Sequence, residues 1–441
     1  MIMFSGFKGG IHPPENKHVS EDKAFTNLPV PQMCYIPLSQ HLGAPAKPVV
    51  EVGQTVTEGQ LIAEAGGFVS ANVHSPVPGK VVEIKEINTV NNRQMAVVIE
   101  AEGAFSSSAQ PRQTDDWEKL APEEILRRIR EAGIVGLGGA AFPAAVKLSP
   151  PKDKKIDILI VNGSECEPYL TVDDMLMQTF PKEIIDGTRM LMKVLGVTRA
   201  IIGIENNKKK AVQALKKTLA SMSIKEDIAV KALRTKYPQG AEKQLIYSLT
   251  GKQVPSGGLP MEVGVVVQNV GTIFAAREAV VFSKPLFERY ITVSGKMINK
   301  PGNYKVRLGT RISDIVEECG GLKGEPAKIV IGGPMCGLSI HSLDIPVVKG
   351  TSGILFLSKD EVKTGDFSQC IRCGRCVAAC PINLVPCDLG NAVEKNRYDL
   401  VEELRPLDCI MCGSCSYSCP SNRPLSHFIK LAQAWVRKQK K

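Results

Sequence analysis

Two cysteine cassettes in the last quarter of this 441-residue sequence constrain its chemistry more than any other feature. Each has the spacing C-x2-C-x2-C-x3-C-P, which is the bacterial pattern of proteins with two [4Fe–4S] clusters. In that pattern the fourth cysteine of each cassette binds the cluster of the other cassette. We therefore predict two ligand sets, cluster 1 with Cys370, Cys373, Cys376 and Cys419, and cluster 2 with Cys409, Cys412, Cys415 and Cys380.

A zinc ribbon is the alternative for these cysteines, but it pairs C-x2-C knuckles and does not need three close cysteines followed by Cys-Pro. Apolar residues recur at helical spacing between the cassettes, in residues 389–404, which predicts a mainly helical dicluster domain. The other cysteines have no partner at ligand spacing, and we expect them to be small buried apolar side chains. They are Cys34, Cys166, Cys319, Cys336 and Cys387.

The composition excludes several classes of protein. No apolar run approaches the roughly 20 residues that cross a bilayer, and residues 1–12 lack a secretory signal. We therefore expect the chain to stay in the cytoplasm, where disulfides are rare. The formal net charge is +10, but the basic residues are scattered and only 5% of residues are aromatic, so we expect no nucleic-acid partner.

The sequence predicts an α/β multidomain chain. Residues 48–84 form short strands broken by glycines, and they resemble the barrel-sandwich fold of lipoyl and biotinyl carriers. The predicted hairpin tip, Gly66-Gly67-Phe68, lacks the lysine that carries a swinging arm, so we interpret this part as a scaffold or docking element. Apolar strands then alternate with helical stretches, which predicts a parallel sheet. Short strands around one helix follow and indicate a β-grasp domain.

These patterns divide the chain into consecutive parts. The predicted boundaries are a lipoyl-like barrel-sandwich domain at 1–105, a linker at 106–119, a Rossmann-like α/β domain at 120–284, a β-grasp domain at 285–345 and a ferredoxin-like domain at 346–441.

A glycine-rich loop leads into a helix in residues 136–148 (GLGGAAFPAAVKL). Glycines let a backbone approach a ligand closely, and a helix N-terminus attracts phosphate. The loop does not match the dinucleotide fingerprint G-x-G-x-x-G. Three further stretches place polar groups beside glycines after apolar runs, namely 162–168 (NGSECEP), 237–245 (YPQGAEKQL) and 268–272 (QNVGT). Because open α/β sheets bind ligands at the carboxyl ends of their strands, we expect one shared polar pocket.

The four stretches resemble the flavin-binding motifs of the NADH-oxidising 51-kDa subunit of respiratory complex I. Together with residues 7–17 (FKGGIHPPENK) and the two cassettes, in the same order, the chain resembles the RnfC family, the C subunits of Rnf (Rsx) electron-transport complexes. The resemblance implies that the β-grasp domain is SLBB-like and that the chain departs from the 51-kDa pattern at Leu137, usually arginine, and Ala241, usually acidic.

The resemblance also implies the cofactor site. Noncovalent FMN would lie beside Gly136, Gly138, Gly139, Asn162, Ser164, Glu165, Tyr237, Gly240, Glu242, Asn269 and Thr272. Three residues match positions near the nicotinamide nucleotide in the 51-kDa family, namely Phe142, Lys147 and Glu167. No catalytic residue beyond the cofactors is expected, because hydride and electron transfer belong to the cofactors.

The function implied is that of a peripheral subunit on the cytoplasmic face of the membrane, which passes electrons between NAD(H), FMN and two [4Fe–4S] clusters. Other membrane and peripheral Rnf subunits would be its partners and would move Na⁺ or H⁺, with ferredoxin reached indirectly. Two alternatives stay open. One is a soluble reductase of the cobalamin-reductase type, in which the glycine-rich loop begins the chain. The other is a non-enzymatic iron–sulfur adaptor, which Leu137 and Ala241 support.

Overall fold

The N-terminal part of the chain folds into two small antiparallel sheets that share one apolar core. The computed structural model describes residues 6–102, 116–363 and 365–439. The sheets have the orders β2-β8-β7-β4 and β3-β5-β6, and Cys34, Ile62 and Val97 are fully buried between them. The strands of the two sheets are β2 (Met33–Pro37), β3 (Lys47–Pro48), β4 (Thr55–Val56), β5 (Leu61–Glu64), β6 (Val73–His74), β7 (Gly79–Asn88) and β8 (Arg93–Ala101). The preceding strand β1 (Thr26–Asn27) joins a sheet formed later in the chain.

This arrangement confirms the predicted barrel-sandwich fold. Phe68, at the predicted hairpin tip, is 77% exposed in the connection between β5 and β6. Residues 103–115, which include most of the linker predicted at 106–119, lie outside the described residues. Within the three described ranges, no helix is both long enough and apolar enough to cross a membrane.

A parallel sheet with helices on both faces forms the next part, as the alternation of strands and helices predicts. Its order is β11-β10-β9-β12. Strands β10 and β11 therefore follow one another on one side of β9, and β12 pairs with β9 on its other side. The elements are α1 (Pro122–Glu131), α2 (Ala144–Lys147), β9 (Ile158–Gly163), α3 (Val172–Thr179), α4 (Pro181–Leu195), β10 (Arg199–Glu205), α5 (Lys209–Ser221), β11 (Asp227–Leu233), α6 (Glu242–Thr250), β12 (Val265–Asn269) and α7 (Val270–Phe282).

A mixed sheet of the order β1-β14-β13-β17-β15-β16 packs beside helix α8 and forms the β-grasp-like part. Strand β17 pairs with β13 and β15, so this sheet extends past residue 345, where the sequence places the end of the domain. We propose that the boundary lies after Leu357. The elements are β13 (Glu288–Ser294), β14 (Gly302–Arg307), α8 (Ile312–Glu318), β15 (Lys328–Ile331), β16 (Leu338–Ile340) and β17 (Gly353–Leu357).

The C-terminal part is helical and encloses cysteines in its apolar core. Its helices are α9 (Arg375–Ala379), α10 (Pro386–Glu394), α11 (Ser414–Tyr417) and α12 (Leu425–Gln439). Helix α10 packs on α12 through Leu389 and Ile429, which are almost fully buried. The helical spacing predicted for residues 389–404 is interrupted after α10, because Asn396 adopts a left-handed backbone conformation with φ of 54°.

Candidate functional site

A cavity of about 660 Å³ opens at the edge of the parallel sheet, where β9 and β12 end side by side. Its volume is typical of small-molecule sites, and such divergence points are where open α/β sheets bind ligands. The structure brings eight of the sequence-predicted site residues together in its lining: Gly138, Gly139, Asn162, Glu165, Glu167, Tyr237, Gly240 and Asn269.

The two asparagines at the ends of β9 and β12 hold the loops around this cavity. The side-chain oxygen of Asn269 accepts from the backbone N–H of Gly271 at 2.8 Å and caps α7, while its Nδ2 donates to Asp173. A Cβ on Gly138 would lie 2.6 Å from the same Nδ2, so only glycine allows this approach. Asn162 donates to the Gly240 carbonyl at 2.8 Å. Both asparagines therefore fix the glycine-bearing loops.

The other predicted residues lie behind the cavity lining. The Gly136 N–H donates to the Phe142 carbonyl at 2.8 Å and closes the glycine-rich loop. The hydroxyl of Thr272 accepts from the Leu137 N–H at 2.9 Å, and Ser164 is fully buried beneath β9. These residues therefore hold the glycine-rich loop in place from the protein interior.

Lys147 and Glu242 also lie outside the lining. They form an ion pair of 2.5 Å between α2 and α6, and the two side chains are 29% and 37% exposed. The pair joins the helix after the glycine-rich loop to the helix after the Tyr-x-x-Gly loop, so it fixes their spacing.

The acidic loop after β9 contains two carboxylates that protein donors hold in place. Glu165 accepts from the backbone N–H groups of Asp173 and Asp174 at 2.8 and 3.2 Å, at the start of α3. Burial raises the pKa of Glu165, and the nearby Lys17 opposes this shift. The carboxyl group therefore satisfies donors at a helix N-terminus, where negative charge is favoured.

The second carboxylate, Glu167, connects the site to the β-grasp-like part. It accepts from the backbone N–H groups of Met335 and Cys336, each at 3.0 Å, and lies 3.2 Å from the Tyr237 hydroxyl. Burial raises the pKa of Glu167, and these hydrogen bonds lower it. Glu167 therefore holds the loop of residues 332–337 against the cavity.

Sequence reasoning missed several residues at the site. Arg289 of β13 is fully buried behind the glycine-rich loop and donates to the carbonyls of Leu137 and Thr351. Burial lowers the pKa of Arg289 to about 10, opposed by Asp173. Segments of the barrel-sandwich part also line the cavity. These are residues 39–42, 89–91 and Gln94. No local sequence pattern marks any of these contacts.

The second cysteine cassette reaches the same cavity. Ile410 and Cys412 belong to the cavity lining, and the Tyr237 hydroxyl donates to the Cys412 carbonyl at 2.8 Å. Cys336, whose sulfur lies 2.9 Å from the same hydroxyl, also lines the cavity and is an exposed residue. The prediction that Cys336 is a buried apolar side chain is therefore wrong, because a loop between β15 and β16 turns it toward the cavity.

One thiol of the first cassette lies near several thiols of the second cassette. Burial raises the pKa of the Cys409 thiol to about 11, and nearby Cys412 and Cys380 add to the shift. Burial likewise raises the pKa of Cys415 to about 12, with contributions from Cys409, Cys412 and Cys380. Cys380 thus lies among the cysteines of the other cassette. Such crowded thiols become stable thiolates only beside a metal centre of positive charge.

The remaining cassette cysteines differ in burial. Cys376 and Cys419 share the buried core of the helical part with Cys380 and Cys415, whereas Cys370 is half-buried and Cys373 is exposed. All thirteen cysteines lie within the described residues, and none forms a disulfide. Within those residues, no three metal-binding side chains are close enough to hold one metal ion.

Models of known families match four successive parts of the chain. The RnfC barrel sandwich hybrid domain matches residues 5–104, and the Nuo51 FMN-binding domain matches residues 129–278. An SLBB domain matches residues 290–339, and a 4Fe–4S dicluster domain matches residues 369–423. The chain therefore contains an FMN-binding domain followed by an iron–sulfur dicluster domain.

Among solved structures, the chain is similar to an NAD⁺-reducing [NiFe]-hydrogenase in the air-oxidised state. The TM-score is 0.52 at 18% identity, and the match covers 74% of this chain and 67% of that one. This likeness concerns the fold alone.

Curated relatives match almost the whole chain. The C subunit of the proton-translocating ferredoxin:NAD(+) oxidoreductase complex of Clostridium ljungdahlii is 48% identical over 97% of this chain and 93% of the relative. The C subunit of the Na(+)-translocating complex of Acetobacterium woodii is 44% identical over 99% and 98%. Its counterpart in the ion-translocating oxidoreductase complex of Rhodobacter capsulatus is 40% identical over 87% and 74%. The chain belongs to the RnfC family, the C subunits of Rnf-type ion-translocating ferredoxin:NAD oxidoreductase complexes.

Proposed function

We propose that this chain passes electrons between NAD(H) and two [4Fe–4S] clusters through FMN. It acts as a peripheral subunit at the cytoplasmic face of a membrane complex, whose other subunits move Na⁺ or H⁺ and exchange electrons with ferredoxin. One observation carries the proposal: the glycine-rich loop and Cys412 of the second cassette line the same cavity.

The residues around the cavity suit FMN. A Cβ built on Gly139 would meet no protein atom within 4 Å, so the loop presents open space to a ligand. Buried Arg289 supplies positive charge behind the loop, which favours a phosphate. Gly138, Gly139, Asn162, Tyr237 and Asn269 would hold the flavin nucleotide, and Gly136, Ser164, Gly240, Glu242 and Thr272 would fix the loops that hold it.

The pyridine nucleotide would enter the same cavity beside Glu167. The nucleotide contacts proposed for Phe142 and Lys147 require a movement, because neither side chain is part of the lining and Lys147 is paired with Glu242. The barrel-sandwich residues in the lining would cover the opposite side of the nucleotide and exclude water from it.

The cassette cysteines would divide into two ligand sets, one for each cluster. The pocket-side set, which includes the cavity-lining Cys412, is Cys380, Cys409, Cys412 and Cys415, and the second set is Cys370, Cys373, Cys376 and Cys419. When bound, FMN exchanges electrons in pairs with NAD(H) and singly with iron–sulfur clusters. The chain's own residues position these groups, since Tyr237 contacts both the cavity and the pocket-side set.

Anaerobic titration with NADH tests the proposal. The full-length protein should contain FMN and about eight irons, and NADH should bleach first the flavin and then cluster absorbance. The variant Cys412→Ser should keep the flavin response, but its remaining cluster should stay oxidised. A flavin that NADH does not bleach would contradict the proposal.

The non-enzymatic adaptor makes a different prediction, namely a protein with about eight irons that does not take up added FMN. Its main support is Leu137 in place of arginine. In the structure the backbone of Leu137 is held on both sides, by Thr272 at its N–H and by Arg289 at its carbonyl. The loop therefore keeps its shape without the arginine, which favours a working flavin site.

A further inference from the structure

Residues 7–17, which we call the N-terminal strap, run between the flavin loops and the first cysteine cassette. Ile11 exchanges two backbone hydrogen bonds with Tyr237, at 2.8 and 2.9 Å. The neighbouring Gly10 N–H donates to the carbonyl of Ala379 at 2.9 Å. Ala379 directly precedes Cys380 of the pocket-side set. Adjacent strap residues therefore contact the FMN cavity wall and the residue before a predicted cluster ligand.

Two consecutive glycines make this double contact possible. A Cβ on Gly9 would lie 2.4 Å from the Cys380 carbonyl oxygen, and a Cβ on Gly10 would lie 2.6 Å from the Tyr237 carbonyl oxygen. Both residues also have positive φ angles, +69° and +77°, which residues other than glycine rarely adopt. The absence of a side chain at Gly9 thus lets the strap pack against the first cassette, and its absence at Gly10 lets the strap pack against the loop that contains Tyr237.

The strap is held at both ends. At its start, Lys236 donates to the Phe7 carbonyl at 2.9 Å and stacks over the Phe7 ring. At its end, Lys17 is buried and donates to the carbonyls of Glu165 and Glu167, at 3.0 and 2.8 Å, and to that of Leu170. The strap therefore shares the acidic loop of the flavin site and cannot shift without it.

We propose that the N-terminal strap is a positioning element that fixes the distance between the FMN cavity and the pocket-side cysteine set. This inference rests on the proposed function. The strap touches the protein groups that hold each cofactor rather than the cofactors themselves. Electron transfer slows as the distance between two cofactors grows, so a small displacement of the strap has a measurable effect.

Other side-chain hydrogen bonds also join the flavin-binding part to the helical part that holds the cysteines. One runs from Ser256 to Asp408, at 2.7 Å. Tyr237 donates to Cys412, and Gln244 donates to the Pro381 carbonyl at 3.1 Å. The strap adds contacts on the opposite side of Tyr237, through its backbone. Tyr237 is therefore held between the strap and the second cassette.

The pair Gly9→Ala and Gly6→Ala tests the inference in the full-length protein. Gly6 also has positive φ, +76°, but a Cβ there would meet no atom within 4 Å. Backbone strain is therefore common to both variants, and only Gly9→Ala displaces Cys380. Measurements are FMN and iron content, flavin bleaching by NADH, the subsequent bleaching of the clusters and amide hydrogen exchange at residues 379–381.

We expect Gly9→Ala to keep FMN, iron and flavin bleaching, to slow cluster bleaching severalfold relative to Gly6→Ala, and to speed exchange at residues 379–381. Equal cluster bleaching in the two variants would overturn the inference, as would unchanged exchange. If NADH fails to bleach the flavin even in the unsubstituted protein, the proposed function fails. Amide hydrogen exchange at residues 379–381 then tests by itself whether the strap holds the first cassette in place. If Gly9→Ala does not fold, Lys236→Met, which releases the strap at Phe7, takes its place with the same expected results.

Discussion

The hydroxyl of Tyr237 lies 2.8 Å from the backbone carbonyl of Cys412 and donates a hydrogen bond to it. Tyr237 lines the cavity proposed for FMN, and Cys412 belongs to the pocket-side cysteine set. This single contact joins the cavity wall to the second cassette. Hydrogen bonds and local dipoles around a cluster tune its reduction potential, so the contact has a measurable consequence.

Replacing Tyr237 by phenylalanine should lower the reduction potential of the pocket-side cluster, because the partial positive charge of the hydroxyl hydrogen near the cluster is lost. The aromatic ring remains, so FMN content should be unchanged. Potentiometric titration followed by electron paramagnetic resonance separates the two clusters. Only one signal should shift, and Tyr247→Phe on the outer part of α6 should shift neither. Equal shifts in both signals would count against the assignment.

Serine substitutions should show which cysteines from the two cassettes bind the same cluster. Cys380→Ser and Cys409→Ser should remove the same paramagnetic signal, because these thiols lie together in the structure. Cys370→Ser and Cys419→Ser should remove the other signal. Each variant should lose about four of about eight irons. If Cys380→Ser instead matches Cys370→Ser, the crossed ligand sets are wrong.

The hydroxyl of Thr272 should be needed for FMN binding although it lies outside the cavity. Thr272→Val leaves the buried Leu137 N–H without its acceptor, which costs about 1–3 kcal/mol in the loop. We expect FMN affinity to fall about tenfold, as measured by fluorescence titration of the flavin-depleted protein. Thr272→Ser keeps the hydroxyl and should restore affinity. Failure of serine to do so would show that the methyl group matters instead.

Stability should fall as the pH decreases below about 6.5, because His74 is buried in the barrel-sandwich part. Burial, with nearby Lys349, lowers the pKa of His74 to about 3. Between pH 3 and 6.5 the unfolded chain binds a proton that the folded chain excludes, so the folded state loses up to about 1.4 kcal/mol per pH unit. Melting temperatures between pH 7 and 5.5 should show a smaller slope in His74→Gln. The exposed His341→Gln should keep the original slope.

The buried Glu288 should contribute strongly to the stability of the β-grasp-like part. It pairs with Lys284 at 2.5 Å, Lys305 at 2.8 Å and Arg307 at 3.5 Å. Burial alone would raise the pKa of Glu288, but these cations outweigh it and hold the pKa at about 2. Glu288→Gln leaves Lys305 without its carboxylate partner, whereas Lys284 keeps Glu278 and Arg307 keeps Glu58. Breaking this largely buried pair should cost about 3–5 kcal/mol in denaturant unfolding.

Asp227→Asn is the matched control for that change. Asp227 pairs with Arg199, but the side chains are 69% and 56% exposed. Exposed pairs contribute about 0–1 kcal/mol, so this variant should be nearly as stable as the unsubstituted chain. Similar losses in the two variants would show that the burial of Glu288 is unimportant.

Sequence patterns predict the part of the site that depends on local structure. Asn162 and Asn269 each follow an apolar strand, and adjacent parallel strands bring their carboxyl ends together. Arg289 and Cys336 could not be found in this way. Cys336 reaches Tyr237 across 99 residues, and Glu167 reaches Met335 across 168. Such contacts depend on how the parts pack, which periodicity within one segment does not encode.

The position of the N-terminal strap has a consequence for how the protein is made. Residues 9–11 are synthesised long before their partners at Ala379 and Cys380, because several hundred residues separate them along the chain. Contacts so distant along the chain form late in folding, after most of the loop-closure entropy has been overcome. The cavity wall at Tyr237 is therefore completed only after both cysteine cassettes have been synthesised, because Tyr237 contacts the strap on one side and Cys412 on the other.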